Sequence, residues 1–68
     1  MMAMAEFEIQ SGSKILLNTN AISSVMEFRK NFCKIFMIGE DESPWYVKGT
    51  LKEIEDKILK VERGEGVF

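Results

Sequence analysis

One cysteine and no histidine among 68 residues exclude the two covalent staples small folds commonly use. A single thiol cannot form an intrachain disulfide, and the Cys/His pairs of a structural zinc site are missing. A chain of this length buries only roughly 60% of its unfolded surface. Its core must therefore come from hydrophobic packing alone, and folds of this kind often gain stability by associating with further chains. The hydrophobic share of 46% is that of a globular domain.

The clearest local signal lies near the C-terminal end. Thr50-Leu51-Lys52-Glu53 has the form of a capping box, in which hydroxyl and carboxylate each satisfy an orphan amide. Behind it, Leu51, Ile54, Ile58 and Val61 recur at helical spacing, which predicts one amphipathic helix running to about Glu62. Gly64 is expected to stop it.

Upstream the period is that of strands. Glu6–Gln10 alternates polar and apolar, Ser11-Gly12-Ser13 supplies a turn, and Lys14–Leu17 returns as a hairpin. Asn18-Thr19-Asn20 is turn chemistry, followed by an extended Ser23–Arg29. Lys30-Asn31 forms a hairpin tip leading into Phe32–Ile38, the strongest strand pattern in the chain. Gly39–Pro44 reads as an acidic loop, and Trp45–Lys48 as the fourth and last strand. The expected architecture is α+β: a four-stranded antiparallel meander in the order β-β-β-β-α, with one C-terminal helix across one sheet face. The chain is expected to be one domain, 1–68, with flexible ends at 1–4 and 64–68.

The later strands are apolar on both alternating faces. Cys33, Ile35 and Met37 share one side, while Phe32, Phe36 and Ile38 share the other with Lys34. Trp45 and Val47 oppose Tyr46, and Met26 and Phe28 oppose Val25. A helix of about 12 residues spans roughly 18 Å and covers only one such face. The face left over marks an interaction surface, for a second copy or another protein. Its expected contact residues are Met26, Phe28, Phe32 and Phe36, with Trp45 and Tyr46 as candidate anchors.

The chemistry of catalysis is sparse. Without histidine, Cys33 has no imidazole partner, and its mid-strand position suits a buried structural thiol. The five glycines stand singly, so no phosphate-cradling loop is formed. Glu40-Asp41-Glu42 lacks the spaced oxygens of a calcium loop and reads as a solvated turn. No enzymatic activity, cofactor or metal is expected. Nine basic residues against eleven acidic ones, net charge -2, give no surplus for phosphate binding. Lys14, Arg29, Lys30 and Lys34 could still form a local basic patch, and Arg29, Lys30 and Lys34 beside aromatic residues leave nucleic-acid binding as the alternative. No apolar run approaches the ~20 residues of a membrane span, and the N-terminus lacks the basic and apolar regions of a signal peptide. A cytoplasmic protein is expected.

Ile22–Leu59, with its aromatic hairpin followed by Tyr46-Val47-Lys48-Gly49-Thr50-Leu51-Lys52-Glu53-Ile54-Glu55, resembles the N-terminal half of LytTR-type DNA-binding domains. In that family a second half follows the helix and supplies much of the DNA contact. The sequence here ends at Phe68 without it, so the resemblance implies a truncated relative that shares the fold of the first half. Leu17-Asn18, Ile22, Val25, Val47-Lys48, Glu53-Ile54 and Lys57-Ile58 also resemble the pattern of the small flagellar FlbD-like proteins. That likeness implies a non-enzymatic cytoplasmic accessory protein of motility.

Overall fold

The computed structural model describes residues 3–62, apart from the side chain of Asp41. The expectations for the first two residues and for Gly64 and the tail beyond it lie outside the described residues. Along the chain come β1 (Met4–Glu8), β2 (Lys14–Asn18), a 3-10 turn (Thr19–Ala21), β3 (Ile22–Arg29), β4 (Phe32–Met37), β5 (Glu40–Lys48) and α1 (Leu51–Glu62). All strand pairs are antiparallel and the helix is last, which makes the class α+β.

The single four-stranded meander is corrected: five strands form two sheets, β1–β2 and β3–β4–β5. The division falls at Asn18-Thr19-Asn20. The Asn18 side chain accepts from the Asn20 amide at 2.9 Å and caps the 3-10 turn. Thr19 is buried, and its amide and hydroxyl both donate to the Ala3 carbonyl, at 2.7 and 3.1 Å. These bonds fasten the turn to the beginning of β1. The chain therefore swings into a second sheet instead of folding back from β2 to β3. The sheets meet again through an isolated antiparallel bridge between Ile9 and Val47.

Two further boundaries differ from expectation. The first strand begins at Met4, with Met4 opposite Asn18. The acidic segment is part of a strand: β4 turns back at Ile38-Gly39, where Gly39 has φ 86, and β5 starts at Glu40. The register moves from Met37↔Glu40 to Ile35↔Trp45, so the extra residues, Pro44 among them, are taken up in an irregular bulge. Proline is tolerated at such a place because it owes the ladder no amide. The Lys30-Asn31 tip forms as expected, with Asn31 in the left-handed region at φ 64.

Three layers supply the core. The hairpin contributes Ala5, Phe7 and Leu17, the three-stranded sheet Cys33, Ile35, Met37 and Val47, and the helix Ile54 and Val61. Ile58 packs against this cluster from the helix. Leu51, expected in the apolar stripe, is 44% exposed. The stripe starts one turn later because Ile54, not Leu51, meets the close approach of Gly49.

The capping box is complete: the Glu53 amide donates to Thr50 Oγ1 at 3.2 Å, and the Thr50 amide to Glu53 Oε1 at 2.9 Å. Replacing Thr50 by Ala is expected to destabilise the fold by about 1 kcal/mol, because one helix-end amide loses its acceptor. A urea unfolding series followed by circular dichroism checks it, and an unchanged midpoint would contradict the assignment.

Candidate interaction face

Strand alternation sorts the three-stranded sheet into two faces. In β4, Cys33, Ile35 and Met37 are buried, while Phe32, Lys34 and Phe36 are half-buried on the other side. The register then aligns a row across all three strands: Met26 opposite Lys34, and Lys34 opposite Tyr46. Phe36 lies opposite Ser24, and Phe32 opposite both Arg29 and Lys48. The hairpin and helix cover the face of Cys33 and Ile35, so the row of Met26, Lys34 and Tyr46 belongs to the outer face.

At one end of this face a cation–aromatic cluster forms. The register shifts between Glu27 and Arg29, so Phe28 is the extra residue of a bulge. Bulges re-aim side chains, and here two successive residues serve one face. The Phe28 ring meets Tyr46 edge to face, with centroids 4.8 Å apart and planes at 69°. The Arg29 guanidinium lies 4.8 Å from the Phe28 centroid and 5.9 Å from that of Phe32. Lys34 Nζ approaches the Phe28 ring to 5.7 Å. Such contacts stabilise by about 0.5–1 kcal/mol each when exposed. Phe28 is 39% exposed and Met26 51%.

The structure thus brings Met26, Phe28, Phe32, Phe36 and Tyr46 onto one face, together with Arg29 and Lys34. Lys30 stands exposed at the hairpin tip. Trp45 is set apart. It pairs with Ile35 on the core-facing side and is 37% exposed at the sheet margin, where a shallow depression is lined by Ile9, Gln10, Ser11, Pro44, Trp45 and Tyr46. Lys14 lies in the other sheet, at the start of β2. Ile38, read from the sequence on the same apolar face as Phe32 and Phe36, is 66% exposed, and Leu16, which the sequence did not single out, is 57% exposed. Ile38, expected as the last residue of the strand, lies in the turn that follows β4. Lys48, not among the expected contact residues, lies beside Phe32 and pairs with Glu8 at 3.3 Å.

Cys33 is fully buried, and its thiol donates to the Gly49 carbonyl at 3.4 Å. Burial pushes the thiol pKa up, and the nearby carboxylates of Glu27 and Glu53 push it the same way. These are the surroundings of an unreactive structural thiol.

No protein-family model matches the chain, and no curated protein or solved structure matches it either. Among the described residues no helix is long and apolar enough to cross a membrane.

Proposed function

We propose that this chain is a small, non-enzymatic protein-interaction module that acts through the outer face of β3–β4–β5 and associates with itself. The observation that carries the reading is the set of five apolar side chains, Met26, Phe28, Phe32, Phe36 and Tyr46, on a face that neither the hairpin nor the helix covers. An uncovered patch of that kind is what interaction surfaces present, and aromatic residues dominate the energetics of such contacts. Burying it at about 25 cal/mol per Å² adds stability to a fold with no staple. The sequence offers no set of nucleophile, base and oxyanion donor on which catalysis could be built.

The test is the solution mass, by light scattering coupled to size exclusion over a concentration series. Wild-type mass should rise with concentration. Phe36→Asp places a carboxylate on the face and is expected to hold the chain as a monomer while the helical circular dichroism persists. A variant that assembles like wild type would count against the outer face.

A second reading is favoured by one observation, the gathering of Arg29 and Lys34 around aromatic rings, with Lys30 near by. Cations and stacking rings together are what single-stranded nucleic acid uses. Binding of that kind must weaken steeply with salt. Labelled DNA that shows no shift with this protein at low salt rejects it.

A further inference from the structure

The two ends of the three-stranded sheet carry opposite charge. At one end Arg29 and Lys34 sit over aromatic rings and Lys30 occupies the tip. None of the three has a carboxylate within 4.0 Å among the described residues. At the other end, the turn from β4 into β5 presents Glu40 and Glu42, both exposed and both without a basic partner among the described residues. Ile38 and Trp45 flank these carboxylates with exposed apolar surface. The chain as a whole is net acidic, at -2, so the basic end is a local segregation of charge.

The separation matters. The six residues of β4 separate the Lys30 tip from the acidic turn by roughly 20 Å at about 3.3 Å per residue, and Lys34, third in β4, stands about 13 Å from it. Both distances exceed the screening length of ~8–10 Å at moderate ionic strength. Neither pole neutralises the other within one molecule, and each remains available to a second one.

The same charges restrict how two copies can meet. A two-fold pairing centred on the cationic–aromatic end sets the Arg29 and Lys34 of one copy against those of the other, where like charges oppose binding. Backbone pairing at the free edge of β3 is also hampered. Register shifts between Ile22 and Ser24 and between Glu27 and Arg29 interrupt that strand, and bulges are a known protection of sheet edges. The acidic turn of another copy fits better: its carboxylates can accept from Arg29 and Lys34, and its Ile38 and Trp45 can pack on Phe28 and Met26.

We infer that the cationic–aromatic end of one molecule takes the acidic Ile38–Trp45 turn of a second copy, head to tail; this rests on the self-associating module proposed above and specifies its geometry. Such a heterologous contact leaves a free head and a free tail on every dimer, so assembly continues into a ring or an open chain.

Two variants separate the halves of the contact: Arg29→Gln with Lys34→Gln blocks the head, and Glu40→Gln with Glu42→Gln blocks the tail. Circular dichroism establishes that both fold, and sedimentation velocity reads their mass. Wild type is expected to grow beyond a dimer with concentration. Its association constant should fall about tenfold or more between ~0.1 M and ~1 M salt, as the screening length drops from ~10 to ~3 Å. Each variant alone stays monomeric, and an equimolar mixture forms a one-to-one dimer that grows no further, because it holds one intact head and one intact tail. A mixture that stays monomeric overturns the head-to-tail geometry. So does growth of both variants like wild type, and if Phe36→Asp still abolishes that growth, self-association through the outer face survives in another geometry. A wild-type chain that remains monomeric throughout rejects both the geometry and the self-association.

Discussion

Phe7→Ala is expected to destabilise the fold by about 3–5 kcal/mol, a large share of its total stability. Phe7 is among the largest fully buried side chains, 1% exposed, and it joins the β1–β2 hairpin to a core it shares with Ile35, Val47 and Ile54. Removing a buried phenyl ring destabilises by about 3–5 kcal/mol, through lost transfer energy and the cavity left behind. A domain of 68 residues has in total about 3–10 kcal/mol of stability. Nor is the loss confined to β1. Lys57 Nζ from the helix lies 5.3 Å from the Phe7 ring and donates to the Glu6 carbonyl at 2.9 Å, so the ring also helps seat the helix. Phe28→Ala is the comparison: it removes the same ring from a site 39% exposed, and with its contacts to Tyr46, Arg29 and Lys34 it should cost about 1–2 kcal/mol in urea unfolding, less than Phe7. Equal midpoints for the two variants would show that the layers do not depend on Phe7.

What was legible in the sequence was what neighbours along the chain decide. The helix follows from Thr50 and Glu53 three residues apart and from the spacing of Ile54, Ile58 and Val61, all within one segment. The hairpins follow from Gly12 and Asn31 between alternating strands, and the outer face from the simple alternation of Phe32, Lys34 and Phe36. The division into two sheets was not legible, because it depends on Thr19 donating twice to Ala3, sixteen residues away, and on Ile9 meeting Val47. Such bonds have no local pattern. The extent of β5 was hidden for a different reason: Glu40–Pro44 has poor strand propensity, and the bulge opposite β4 lets the pairing resume at Trp45 despite it. For the candidate site, the aromatic residues could be read from their period. The position of Arg29 could not, because a bulge shifts register by a residue and so decides which face a side chain serves.

That distinction bears on the self-association. Phe28, Tyr46, Arg29 and Lys34 come from three strands, so the cationic end exists only when β3, β4 and β5 are in register. The acidic turn is local and keeps its charge whether or not the sheet is formed. Head-to-tail growth should therefore require folded protein on the head side, which separates it from the disordered aggregation of apolar segments.

Gly49→Ala is expected to destabilise the fold by about 1–3 kcal/mol, more than its size suggests. Gly49 links β5 to the capping box at Thr50, and its φ of 130° is a backbone conformation that side-chain-bearing residues rarely adopt. A Cβ there would stand 3.1 Å from Ile54 Cδ1, and Ile54 is itself 1% exposed, so the neighbour has little room to move. Relaxing φ offers no easy escape, because the Gly49 amide donates to the Asn31 carbonyl at 2.7 Å and its own carbonyl accepts from the Cys33 thiol. Changing φ rotates the two peptide units that flank Gly49 against each other, so the two bonds cannot both keep their geometry. Gly12→Ala isolates the backbone contribution, since φ there is 95° and nothing lies within 4 Å of the added methyl. Thermal melts of the two variants decide between the causes. A larger loss at Gly49 assigns the difference to the contact with Ile54 and to the bonds that hold the junction. Equal losses would assign it all to backbone conformation, and the close packing of strand end against helix would then contribute nothing measurable.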